Sequence, residues 1–165
     1  MLSPHDKLVR TLIRSQFERW KHLRAWGGAC DRCTLDMAGP RRTRLGQCHF
    51  DGTIEVNTRP GQPLACAFKT LIHEFAHAAA PSHCWHEQPW REVFAAGCLE
   101  ATGHGVEIIA NVHAMGAQVE RAIGLWIADG SPSPEEIARR AVASGNSLTG
   151  VSRLQLPVST QARRS

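Results

Sequence analysis

The feature that most constrains this chain is the segment His73-Glu74-Phe75-Ala76-His77, in which two histidines stand four residues apart. Apolar side chains recur at helical spacing around it, which predicts a helix over about 64–79. On a helix, residues four apart lie on the same face, so both imidazoles could reach one Zn²⁺ ion. We therefore expect a helix with one buried side and a metal site on another.

Glu74 directly follows the first candidate ligand. In that position it could act as the general base that takes a proton from metal-activated water and later donates one to the leaving amine. The segment thus predicts a zinc-dependent peptidase with Zn²⁺ as its cofactor and Glu74 as its catalytic residue. The alternatives are two ordinary helix histidines and a purely structural metal site. Because the chain contains no tyrosine, a tyrosine hydroxyl is excluded as acid or oxyanion donor.

Catalytic zinc usually has three protein ligands, so His73 and His77 need a third. The candidates in the sequence are His83, His86, Glu92 and Glu100. His83 has the metzincin spacing, but Ala80 and Pro81 stand where that pattern needs a glycine turn. His86 stands at the entry to the next predicted helix, and the spacing alone leaves the choice among these candidates open.

The rest of the chain predicts an α+β fold with an N-terminal helix, a small antiparallel hairpin or sheet, the motif helix and C-terminal helices. We expect residues 1–145 to form a single domain and 146–165 a disordered tail. The predicted elements are a helix over 6–24, a loop over 29–41, hairpin arms over 42–49 and 53–57 around Asp51-Gly52, and helices over about 89–102, 105–129 and 133–143.

The cysteines and tryptophans leave further alternatives open. Cys30 and Cys33 could hold a second metal together with Cys48 and His49, or they could be ordinary reduced thiols. We interpret Cys84 and Cys98 as packing residues. Trp85 and Trp90 are expected in the core or in a pocket wall, with a base-stacking platform as the alternative.

Charge is uneven along the chain, whose formal net charge is +4. Residues 1–50 contain ten Lys/Arg and four Asp/Glu. On the first predicted helix the basic side chains share one side, which favours DNA as a partner through Lys7, Arg10, Arg14 and Lys21. No apolar run is long enough for a membrane span and the N-terminus has no secretory apolar region, so we expect a cytoplasmic protein without a membrane partner.

Several segments together resemble the SprT-like (Spartan-related) zinc metalloprotease family. They are the zinc motif, the third histidine before Pro89 and Trp90, and the hairpin segment Ile54-Glu55-Val56-Asn57. The resemblance covers about residues 5–103. It implies a zincin-like fold, ligands His73, His77 and His86, and proteolysis of DNA-associated proteins.

Two other functions remain open from the sequence. The stretch Glu92-Val93-Phe94-Ala95-Ala96 resembles the glutamate helix of ImmA-like proteases, which would make the chain a gluzincin-type peptidase that cleaves a regulatory protein. The other alternative is a non-catalytic zinc-binding or nucleic-acid-binding module.

Overall fold

A computed structural model describes residues 3–37 and 44–145. These residues form an α+β fold, as predicted, with five α-helices, a short 3-10 helix and a three-stranded mixed sheet. The elements are α1 (Pro4–Trp20), the 3-10 helix (Arg24–Trp26), β1 (Thr34–Asp36), β2 (Gly46–Cys48), β3 (Thr53–Val56), α2 (Leu64–Ala79), α3 (Gln88–Thr102), α4 (Val112–Ala128) and α5 (Pro134–Ala143). The predicted tail over 146–165 lies outside the described residues.

Helix α1 begins earlier and ends earlier than the predicted 6–24. It begins at Pro4 because Ser3 caps it: the Ser3 hydroxyl accepts a hydrogen bond from the Asp6 backbone N–H at 3.1 Å, and the Asp6 carboxylate accepts one from the Ser3 N–H at 3.2 Å. It ends at Trp20, whose carbonyl oxygen accepts a hydrogen bond from the Trp26 indole N–H at 2.7 Å. That bond satisfies one open carbonyl at the helix end while the chain turns back into the core.

The sheet has β3 in the centre, β1 parallel to it on one side and β2 antiparallel to it on the other. The predicted hairpin is confirmed as β2 and β3, with Gly52 at a φ of 86° in the turn. Both arms are shorter than predicted, and Arg42 and Thr43 lie outside the described residues. The prediction of a loop over 29–41 is wrong at β1, because that strand exists only through its distant pairing with β3.

Helix α2 lies at the centre of the core, where it contacts β2, β3, α1, α3 and α4. Aromatic rings fill the space between these helices. The Phe17 and Phe75 rings stack with centroids 5.2 Å apart, and the Trp20 ring lies 5.5 Å from Phe68 and 5.3 Å from Trp126. The apolar face of α2 is thus packed on several sides, and this packing positions the two motif histidines.

The C-terminal helices differ from prediction mainly at one boundary. The sequence predicts α4 from about 105, but the helix begins at Val112, because the Asn111 side chain accepts a hydrogen bond from the Ala114 N–H at 3.1 Å and caps the helix there. Helix α5 begins after Ser133, which caps it as predicted. Among the described residues, no helix is long and apolar enough to cross a lipid bilayer.

Candidate metal centre

Three histidine rings converge on one point beside α2. The Nε2 atom of His77 lies 3.2 Å from that of His73 and 3.0 Å from that of His86, and the third side of the triangle, between His73 and His86, is 3.1 Å. Within the described residues this is the one group of three or more candidate ligands whose ligand atoms all lie close enough together to hold a metal ion. The structure thus brings together the three histidines predicted from the sequence.

The triangle has the dimensions that a tetrahedral metal ion requires. Ligand nitrogens about 2.0–2.1 Å from Zn²⁺ at the tetrahedral angle are about 3.3 Å apart, only slightly more than the 3.0–3.2 Å observed. Three nitrogens at these distances can occupy three corners of a tetrahedron, and among the described residues no fourth side chain belongs to the group. Three imidazoles in this arrangement fit a metal ion, and the donor set suits zinc.

The third histidine reaches the site through a tight turn after α2. The Cys84 carbonyl oxygen accepts a hydrogen bond from the Glu87 N–H at 2.7 Å, so that Trp85 and His86 form the tip of the turn. Cys84 is buried and anchors the loop, as predicted for a packing residue. Arg91 on α3 then donates a hydrogen bond from Nη1 to the His86 carbonyl oxygen at 2.9 Å. These contacts fix the backbone of His86 relative to α2.

Trp90 forms the floor under all three histidines. Its ring centroid lies 4.7 Å from that of His73, 5.1 Å from His77 and 4.6 Å from His86. Trp90 is fully buried, as expected for the core. Burial by this apolar floor lowers the pKa of His73 to about 3 and that of His77 to about 4. Both rings are therefore neutral at physiological pH, with lone pairs free for a metal.

Glu74 is enclosed between α2 and the edge strand β2. Burial raises the pKa of its carboxyl to about 8, and the nearby charge of Glu55 acts in the same direction, while a hydrogen bond from the Cys48 backbone N–H opposes them. Gly46 lies against the same carboxylate: a Cβ atom at Gly46 would be 2.8 Å from Glu74 Oε1 and 2.6 Å from Thr70 Cγ2. Only a glycine leaves room for the carboxylate here.

The other candidate third ligands lie elsewhere. His83 is exposed and is not part of the group. Glu92 accepts a hydrogen bond from the Gln88 side-chain amide at 2.9 Å. Glu100 is buried against the 3-10 helix, where its carboxylate accepts hydrogen bonds from the backbone N–H groups of Arg24 at 3.1 Å and Ala25 at 2.8 Å. Glu100 thus caps a helix, which is a structural role.

Of the cysteines predicted as a possible second metal site, Cys30 and Cys33 are buried and Cys48 is partly buried. Cys30 and Cys33 lie side by side, and the Cys30 thiol donates to the Phe75 carbonyl oxygen at 3.5 Å. Burial raises the pKa of Cys30 far above its usual range and that of Cys48 to about 11. No group of three ligands that includes them occurs in residues 3–37 and 44–145, which favours the interpretation as reduced thiols.

The basic side chains of α1 do not form one free surface. Lys7 and Arg14 are exposed. Arg10 is half-buried and donates from Nη1 to the Met37 carbonyl oxygen at 3.0 Å, and Lys21 pairs with Glu18 at 2.7 Å. Two of the four predicted DNA contacts are therefore engaged within the protein.

Sequence reasoning missed Gly46 and Arg91 as neighbours of the site, and it placed Trp85 among core or wall residues although its side chain is 75% exposed. A glycine opposite the motif helix gives no local signal, because its role depends on a strand pairing and a helix contact far apart in the chain. Comparisons with family models, curated proteins and solved structures give no match. The function is therefore inferred from the site itself.

Proposed function

We propose that the protein is a zinc-dependent endopeptidase. The observation that carries the proposal is the triangle of Nε2 atoms from His73, His77 and His86, with sides of 3.0–3.2 Å. Two of these ligands, His73 and His77, lie on α2 together with the buried carboxylate of Glu74. A structural zinc site normally has four protein ligands, whereas three ligands and an open position are typical of catalytic zinc. When bound, zinc polarises the scissile carbonyl and makes a hydroxide nucleophile available near neutral pH.

Glu74 supplies the proton transfers. It follows His73 by one residue and so stands beside the ligands on α2 without being one of them. Burial raises its pKa to about 8 in the metal-free protein, and a cation held by the neighbouring histidines would lower that pKa again. Glu74 could then accept a proton and release it to the leaving amine near neutral pH. The Cys48 N–H holds the carboxylate in place against β2.

Strand β2 is suited to hold an extended peptide. The Leu45 carbonyl oxygen accepts from the Asn57 N–H, and the His49 N–H donates to the Thr53 carbonyl oxygen, so these alternate residues are paired with β3. Backbone groups of the residues between them, Gly46 and Cys48, therefore point away from β3. The Cys48 N–H already donates to Glu74, so a substrate would pair with the backbone of Gly46 and the carbonyl oxygen of Cys48. A substrate that pairs there is recognised through its backbone, which implies loose sequence preference.

The resemblance to SprT-like proteases supports the same proposal and extends it to a zincin-like fold and to substrates bound to DNA. Lys7 and Arg14 are the exposed basic side chains of α1 that would contact the phosphate backbone. No observation favours the gluzincin-type alternative, because the side chain of Glu92 is bonded to Gln88 and lies outside the histidine group.

Metal content and cleavage test the proposal separately. His86→Ala should lose zinc, whereas His83→Ala, an equally conservative change in the same loop, should keep it. Glu74→Gln should keep zinc and lose cleavage of a DNA-bound substrate by about 100-fold or more. If His86→Ala retains zinc, the proposed three-histidine site is wrong. If Glu74→Gln cleaves at the full rate, the proposed role of the carboxylate is wrong.

A further inference from the structure

Trp85 differs from every other tryptophan in the chain. The sequence has five tryptophans, and Trp20, Trp26, Trp90 and Trp126 are at most 1% exposed. Trp85 is 75% exposed, although its ring is as large and apolar as theirs. A single exposed apolar side chain is ordinary on a protein surface, so the inference depends on where this indole lies and not on its exposure alone.

The position of Trp85 is beside the metal centre. Its ring centroid lies 6.2 Å from that of His77 and 5.9 Å from that of His86. Trp85 therefore stands at the rim of the site, within one side-chain length of the point on which the three Nε2 atoms converge.

The backbone of Trp85 is also in an unfavourable conformation. Its φ is 39°, in the left-handed region that bulky side chains rarely adopt and in which glycine would be unstrained. The same residue forms the turn between Cys84 and Glu87 that brings His86 to the site. A strained, exposed aromatic residue next to a reactive centre is a typical arrangement for ligand contact.

We infer that Trp85 is a specificity-determining residue that stacks on a large apolar side chain adjacent to the scissile bond of the substrate. This inference rests on the proposed peptidase function. Backbone pairing with β2 would give affinity without discrimination, and the indole adds a preference for phenylalanine, leucine and similar residues at one position. The flat ring excludes water from one side of the bound peptide, so a substrate with an apolar side chain on that side binds more tightly.

The test uses binding to the zinc-loaded Glu74→Gln protein, so that no cleavage is needed. The probes are the hydroxamates of N-acetylphenylalanine and N-acetylglycine, which share the metal-binding group and differ in the side chain. We expect the phenylalanine compound to bind about tenfold more tightly. Because the other four indoles are buried, quenching of tryptophan fluorescence by acrylamide reports on Trp85, and only the phenylalanine compound should protect it.

Variants of Trp85 complete the test. Trp85→Ala should reduce the preference to about twofold or less with unchanged zinc content, and Trp85→Phe should keep most of it. Val142→Ala, which shortens an exposed side chain on α5, is the control and should behave like the parent protein. The protection measurement needs no variant at this position and so does not depend on whether Trp85→Ala folds.

The possible failures can be distinguished. The inference is wrong if acrylamide still quenches Trp85 in the zinc-loaded protein saturated with the phenylalanine hydroxamate, or if Trp85→Ala keeps the preference for that compound over the glycine hydroxamate. Either result leaves the proposed peptidase function unaffected. Undiminished cleavage by Glu74→Gln overturns the proposed mechanism but not the apolar contact. A protein that takes up no zinc overturns both.

Discussion

Gly46 offers a direct test of whether the contact between β2 and α2 matters for function. In Gly46→Ala the new methyl group would meet Thr70 Cγ2 at 2.6 Å, Glu74 Oε1 at 2.8 Å and the Glu55 carbonyl oxygen at 2.9 Å. The Thr70 side chain is held by its own hydrogen bond to the Cys66 carbonyl oxygen at 3.0 Å, and the Glu55 oxygen belongs to the backbone of β3. Neither can simply rotate away.

The size of the effect follows from these distances. Ordinary contact begins at 3.4 Å, so the closest pair must separate by about 0.8 Å, and β2 has to move away from α2 by a similar amount. Overpacking of this kind costs about 1–3 kcal/mol of stability. A misplacement of nearly 1 Å at a proton-transferring carboxylate lowers the rate by about 100-fold. The histidine ligands come from α2 and the following turn, so zinc content should not change.

The assay compares zinc content, urea unfolding and peptide cleavage for Gly46→Ala and a matched control. A Cβ atom added at Gly124 on α4 would meet no atom of a neighbouring element within 4 Å, so Gly124→Ala should raise stability by about 0.5–1 kcal/mol and leave cleavage unchanged. If Gly46→Ala cleaves at the parental rate with parental stability, the close contact between β2 and Glu74 is not part of the machinery. If it loses zinc, the strand supports the ligands rather than the base.

Three further outcomes are expected. Glu100→Ala should destabilise the protein by about 1–3 kcal/mol in urea unfolding, because the part-buried backbone N–H groups of Arg24 and Ala25 lose the carboxylate that accepts from them; unchanged stability would refute the capping role. The free energy of unfolding of the metal-free protein should fall on acidification from pH 6.5 to pH 4. The reason is that the pKa values of His73 and His77 are lowered to about 3 and about 4, so below pH 6.5 the unfolded chain binds protons that the folded state does not. In His77→Ala the decrease should be smaller. Arg14→Glu should weaken binding to duplex DNA and reduce the salt slope by about 1, while Arg121→Glu on α4 should change neither; equal effects of both would mean a nonspecific charge effect.

Local signals in the sequence are sufficient where a single segment determines the structure. Helix α2 has the predicted limits because its apolar spacing, its preceding proline and Pro81 after it all act within a few residues. The hairpin turn is predictable for the same reason, since Asp51-Gly52 tolerates the backbone that the turn requires. His86 is favoured over His83 only through the resemblance to SprT-like proteases, because no local signal separates the two histidines.

The features that the sequence does not predict depend on contacts between distant segments. Strand β1 pairs with β3 from Thr34 to Thr53, and nothing in residues 34–36 alone distinguishes a strand from a loop. Arg10 and Lys21 share a helical side with Arg14, but the Met37 carbonyl oxygen and Glu18 engage them. A helical projection gives the direction of a side chain, but it does not give the groups from other segments that the side chain contacts.

The metal centre combines both kinds of information. The histidine spacing fixes two ligands on one face of α2, whereas the environment of Glu74 arises from a strand about 25 residues earlier whose Gly46 and Cys48 close over the carboxylate. The two ligands on α2 can be predicted from the motif, because helix geometry sets their separation, whereas His86 depends on the turn after the helix. The pKa and the position of Glu74 cannot be predicted in that way, since both are set by burial, and burial is a property of the assembled fold.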